Sequence, residues 1–142
     1  MTKTLFPIIP PISAPQGGRE TLPMYRDVAW DFKADKPIFR GGEPRVLEGA
    51  EAVLVWCKNA LRTERYRYEI YSFRHGCELG NLTGQSYSET TKLAEAKRYV
   101  EECLTASPYV LAAQADNLSF EGDVLHMDLA IETVYGGVKL HE

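Results

Sequence analysis

Near the end of the chain, Leu125, Met127, Leu129, Ile131 and Thr133 alternate with His126, Asp128, Ala130 and Glu132. Only an extended backbone puts every second side chain on one face, so this stretch predicts a strand with one buried face and one wet face. A sheet buried on one side needs an amphipathic layer to cover it. The rest of the sequence must supply that layer.

Two segments do so. From Gly49 to about Arg62, residues Val53, Trp56, Cys57, Ala60 and Leu61 share one helical face. A second helix begins near Ser86, whose spacing to Glu89 is that of a capping box. Its apolar face is Leu93, Ala96, Val100, Cys103 and Leu104, and Ser107-Pro108 ends it, because the residue before proline is pushed out of the α region. Cys57 and Cys103 sit on those faces and read as core residues.

Short strands account for much of the remainder. Val28, Trp30 and Phe32 alternate with Ala29 and Asp31, and "IFRGGEPRVLEG" reads as two strands about a Gly41-Gly42 turn, with Pro44 confining the second to an edge. Tyr109–Asp116 and Leu118–Phe120 read as strands, Glu121-Gly122-Asp123 as a turn, and Gly136-Gly137 as the close of the strand from Leu125. The fold class is α+β: one compact domain over 25–142, two main helices on a mixed or antiparallel sheet, preceded by an extended arm over 1–24.

Five of the eight prolines lie in that arm, which excludes a helix or a central strand there. Leu5, Phe6, Ile8, Ile9 and Ile12 are more apolar than a solvated tail requires, so a disordered tail competes with an arm that lies in a partner's groove. The formal net charge of −4 argues against a protein that coats nucleic acid. Three cysteines without a CxxC pair argue against a disulfide framework or a common zinc site. No signal peptide and no membrane span are expected, and the composition fits a reducing cytoplasm.

The segment "LRTERYRYEIYSFRHGCELG" (61–80) concentrates four arginines, three tyrosines, Phe73 and His75. Three readings compete for it. Nucleic-acid stacking needs rings and cations on one open face. If "RYRYEIYSF" is a strand, Arg65, Arg67, Glu69, Tyr71 and Phe73 share a face that contains a carboxylate, and Tyr66, Tyr68 and Ile70 share the other. Glycosidase chemistry needs a carboxylic acid kept protonated, yet Glu64, Glu69 and Glu78 all have arginines nearby in the chain, which favour the charged form. His75, Cys77 and Glu78 do not by themselves complete a metal site. No nucleotide-binding, zinc-protease or serine-hydrolase motif occurs. No catalytic, cofactor-binding or metal residue is therefore assigned. Tyrosine and arginine are interface residues, and a docking surface fits best: the rings anchor the domain, and Arg62, Arg65, Arg67, Glu69, Arg74 and Glu78 meet partners, with Phe6, Ile8 and Ile9 of the arm.

The order and spacing of these elements resemble the contractile-tail baseplate wedge and sheath-initiator family, in particular its PBSX-like prophage group. Leu61 and Thr63 match a helix end, Tyr68 to Phe73 an aromatic stretch, and Gly76, Glu78 and Leu79 a turn that Leu82 to Gly84 continues. Ser107-Pro108-Tyr109, Tyr135-Gly136 and the "YRDVAWDF" strand from Tyr25 also have counterparts. Where the wider family has a Glu-Pro-Arg turn after its second helix, this chain has Ser107-Pro108-Tyr109, so neither charge is present.

The resemblance implies a structural, non-enzymatic subunit that joins the baseplate wedge to the first sheath ring and initiates the sheath. Implied partners are wedge subunits, sheath protein and hub, spike or tube proteins, in several copies around a six-fold ring, with no nucleic acid, membrane or cofactor. Assembly in the host cytoplasm and a final place in a phage or tailocin baseplate follow. Extended arms and the Gly-rich C-terminal tail would act by strand addition. A lysozyme-like tail enzyme is the alternative.

Overall fold

The computed structural model describes residues 22–141. The expected arm falls almost wholly outside them, as do Phe6, Ile8 and Ile9. The described part is α+β, with two α-helices and antiparallel strands.

Six short strands come first: β1 (Arg26–Val28), β2 (Trp30–Asp31), β3 (Lys36–Pro37), β4 (Phe39–Arg40), β5 (Glu43–Pro44) and β6 (Val46–Glu48). They pair as three antiparallel ribbons, β1 with β6, β2 with β3 and β4 with β5. Gly41 and Gly42 turn β4 into β5 with positive φ of 61° and 83°, as their sequence predicts. A backbone junction ties the ribbons together: Ala29 N–H donates to Arg45 O at 2.8 Å, Ile38 N–H to Ala29 O at 2.8 Å, and Arg45 N–H to Ile38 O at 2.9 Å. The chain changes partner at Ala29, which interrupts the expected alternation. Ala29 is therefore the buried residue there, while Val28 and Trp30 are half-buried.

Helix α1 (Ala50–Arg62) buries Val53, Cys57 and Ala60 as expected, and Ala52 and Val55 as well. The additional burial has a tertiary cause, since β1 and β6 pack on α1. A 3-10 turn (Leu79–Leu82) precedes α2 (Glu89–Thr105). The expected Ser86–Glu89 capping box does not form: Glu89 is already helical, and Ser88 is the cap, its hydroxyl accepting from Thr91 N–H at 3.3 Å.

The principal sheet is β7 (Val110–Glu121), β8 (Val124–Thr133) and β9 (Gly136–His141), in that order and antiparallel throughout. In β8, Met127, Leu129, Ile131 and Thr133 are buried, as their alternation requires. Met127, Leu129 and Ile131 meet Val53 and Cys57 of α1 and Val100 and Leu104 of α2 in one core. The two strands expected over 109–120 are a single strand, because register shifts between Asp116 and Ser119 absorb the break, with Asn117 at φ 52°. Gly136-Gly137 lies just beyond the end of β8 at Thr133, as expected. It opens β9, which pairs along β8 from Thr133↔Gly136 to Asp128↔His141. The C-terminal tail is thus a strand of its own sheet rather than a free arm.

Three tyrosines fasten the start of the domain to one end of this sheet. Tyr135 O–H is 2.8 Å from the Tyr25 N–H that donates to it, and Tyr109 O–H donates to Pro23 O at 2.8 Å. The Tyr25 and Tyr109 rings lie 4.8 Å apart.

Candidate partner-binding surface

Residues 65–73 form no strand, contrary to the strand reading of "RYRYEIYSF". The chain leaves α1 at Thr63, whose hydroxyl donates to Asn59 O at 2.8 Å, and makes an excursion closed at its foot. There Cys77 N–H donates to Thr63 O at 2.8 Å and Arg65 N–H to Cys77 O at 3.2 Å, a parallel bridge between Glu64 and Cys77. The alternation of "RYRYEIYSF" is therefore not read out as two faces. Turn bonds from Tyr71 N–H to Tyr68 O and from His75 N–H to Ser72 O, 3.2 and 3.1 Å, fold the segment back on itself.

Gly76 makes that closure possible. Its φ is 101°, and a Cβ there would lie 2.9 Å from the Arg65 N and Cα and from Thr63 O. Glycine is required both for the backbone angle and for the close approach.

Arg65 holds the excursion from inside. Its Nε–H donates to Phe73 O at 2.7 Å, and Nη1 reaches Glu78 at 3.2 Å and Glu102 of α2 at 2.8 Å. Its side chain is only 15% exposed. The hydrogen bond to Glu102 holds its guanidinium still more firmly in the charged form.

The expected anchoring role of the rings is reversed. Ile70 is 84% exposed and Phe73 80%, and Tyr66, Tyr68 and Tyr71 are exposed as well. The rings pack mainly on one another and on their own arginines: Tyr68 and Tyr71 edge to face at 6.1 Å, Tyr66 and Phe73 at 6.4 Å, Arg65 over Tyr66 at 4.8 Å and Arg67 over Tyr68 at 5.7 Å. His75 is the link inward, 4.4 Å from Tyr71 and 5.9 Å from Trp56 of α1. The rings form an exposed apolar knob.

The other candidate residues are placed as follows. Arg67 pairs with Glu64 at 2.7 Å in the open, and Glu69 and Arg74 are exposed on the knob. Arg62 lies apart, 3.7 Å from Asp35 and over the Phe32 ring at 5.0 Å. Glu64 and Glu78 share a cavity of about 190 Å³ with Arg65, Cys77, Gly80 and Asn81. Small-molecule sites usually start at ~300 Å³, and both carboxylates already face arginine. The arrangement is an ion-pair foot, not a pair of carboxylates across a substrate cleft.

The Gly-rich C-terminal tail, expected as an extended arm, presents a second surface as the edge of its own sheet. β7 and β9 are the two edges of the main sheet. The β7 edge lies under α2, and Glu101 of that helix accepts from Ala115 N–H at 3.2 Å. On the outer side of β9 no backbone group pairs among the described residues. The only sequence signal for β9 was Val138 and Leu140 beyond the two glycines, too short a run to recognise.

The domain thus has a covered sheet face, one strand edge unpaired among the described residues and an exposed aromatic knob. The sequence matches the contractile injection system sheath initiators over residues 26–136, which spans most of the chain, and the protein belongs to that family of contractile-tail components. It is similar to the phage-like element PBSX protein XkdS of Bacillus subtilis (strain 168), 33% identical over 98 residues, which cover 68% of this chain and 70% of XkdS.

Proposed function

We propose that this chain joins the baseplate wedge to the first ring of sheath subunits, and that sheath assembly starts by strand addition on β9. The outer edge of β9, unpaired among the described residues, carries the reading. An unpaired strand edge in a family of sheath initiators is a template on which an extended segment of a sheath subunit can add, with main-chain bonds supplying affinity. Gly136 and Gly137, without side chains, leave room for a second backbone at the start of the edge.

The knob serves the other side of the joint. Tyr66, Ile70, Tyr71 and Phe73 would insert into an apolar recess of a baseplate neighbour, with Arg67, Glu69 and Arg74 at the rim. Arg65 and Glu78 act from within by holding the knob in shape. The arm at 1–24, with Phe6, Ile8 and Ile9, adds a tether whose root is clamped by Tyr109 and Tyr135. Repetition around a six-fold ring would multiply modest contacts by avidity. The role is structural, and purified protein should leave peptidoglycan intact.

Photo-crosslinkers test both halves in assembled particles. One at Lys139, on the exposed part of β9, should capture sheath protein, and one at Phe73 should capture a baseplate subunit. Capture of sheath protein from Phe73 and none from Lys139 would reverse the assignment.

A further inference from the structure

All three cysteines are buried and free. Two of them touch. Cys77 is 4% exposed and Cys103 3%, and they pack with Ala60 in a small cluster beside the main core. Cys77 Sγ lies 3.8 Å from Tyr99 O. In an α-helix that carbonyl accepts from the amide four residues later, which is Cys103. The Cβ of Cys103 leans back toward the helix N-terminus, over the Tyr99 turn. Cys77 Sγ, which donates to that carbonyl, thus lies beneath the Cys103 side chain, in the same buried cluster.

We propose that Cys77 and Cys103 are a redox pair that closes to a disulfide on reaction with a low-molecular-weight disulfide, clasping the foot of the aromatic knob to α2. Cys77 lies at the closure of the excursion, directly after Gly76. Opening of that foot exposes its sulfur, whereas Cys103 stays in the helix. Cys77, as thiolate, attacks one sulfur of the reagent RSSR. The S–S bond breaks, and RS⁻ leaves and takes up the proton that Cys77 gave up. Cys103 then loses its proton and attacks Cys77 Sγ, and the second RS⁻ leaves and is protonated. In sum, two protein thiols are oxidised to one disulfide and RSSR is reduced to two RSH.

The hydrogen bond from the Cys103 thiol favours thiolate on Cys77. The same contact, with burial, pushes the Cys103 thiol up. That ordering fits Cys77 as attacker and Cys103 as the resolving group. Cys57 takes no part, being fully buried in the main core, where burial pushes its thiol up to about 12. The occasion for oxidation rests on the proposed function, because a tail particle leaves a reducing cytoplasm for an oxidising medium. The chemistry does not, and it is testable on the isolated protein.

Full-length protein purified under reducing conditions is incubated, folded, with oxidised glutathione. Thiols are then counted in denaturant, and a non-reduced digest is mapped by mass spectrometry. Two of three thiols should be lost, in a single Cys77–Cys103 bond, and trypsin cleavage after Arg67 and Arg74 should slow. In Cys103→Ala the reaction should stop at a glutathione adduct on Cys77. Retention of all three thiols in the folded protein, a bond that includes Cys57, or a persistent adduct on Cys77 in the wild type would each overturn the proposal. None of these results bears on whether Lys139 captures sheath protein.

Discussion

Arg65 and Glu102 meet at 2.8 Å across 37 residues of chain. With the bond from Arg65 Nε to Phe73 O, this contact ties an exposed excursion to the second helix. It converts a run of rings and charges into an object of definite shape.

Arg65→Ala should therefore destabilise the protein by about 1–2 kcal/mol, the range for losing charge-assisted bonds on a half-open surface. Urea unfolding measures that loss, and trypsin should cut the excursion faster than in the wild type. Arg67→Ala removes an exposed pair with Glu64 and an exposed contact with the Tyr68 ring, and should leave the urea midpoint unchanged. Equal effects from both would deny Arg65 its internal role.

Gly76→Ala places a methyl 2.9 Å from the Arg65 backbone at a φ of 101°. A loss of at least ~2 kcal/mol is expected from strain and clash together. Gly80→Ala is the control, since it has open space and an ordinary φ. Thermal melts of the two variants should separate clearly.

Ile70→Asp and Phe73→Asp alter residues that are almost fully exposed. Stability should stay within ~0.5 kcal/mol of wild type, as for surface changes elsewhere. Sheathed particles, counted by electron microscopy after complementation, should fall sharply. Normal particle yield from both variants would remove the knob from the assembly.

The His75 ring is half-buried between Tyr71 and Trp56, and burial lowers its pKa below the ordinary 6.5. The native state then binds fewer protons than the unfolded chain. Its contribution to stability is complete above pH 6.5 and is lost as pH falls toward the lowered folded value. Urea midpoints should drop as pH falls below 6.5, and His75→Phe should flatten that part of the profile. Glu95, whose carboxyl is held below its ordinary 4.5 by Arg98, acts only at more acidic pH.

Ser88→Ala removes the cap of α2 and should cost about 1 kcal/mol. Ser86→Ala should cost nothing measurable by the same urea assay. The reverse order would restore the capping box that the sequence predicts.

The sequence by itself determined the periodic elements. Leu125 to Thr133 could only be a strand buried on one face, and the stripes from Val53 to Leu61 and from Leu93 to Leu104 could only be helices that cover it. A side chain's period along the chain is a local property, so it is legible locally. Gly41-Gly42 and Ser107-Pro108 were legible for the same reason. The tertiary structure decided what depends on distant partners. Ala52 and Val55 are buried because β1 and β6 arrive over α1, and Ala29 is buried because the chain changes partner there. The short run after Gly136 becomes an edge strand because β8 is already in place to receive it. The rings from Tyr66 to Phe73 were misread because alternation implies a strand only when another strand pairs with it. Here Arg65, Gly76 and the Glu64–Cys77 bridge close the segment on itself, and its rings stay exposed. The contact between Cys77 and Cys103 was equally invisible, since nothing local relates a loop residue to a turn of helix 26 positions later.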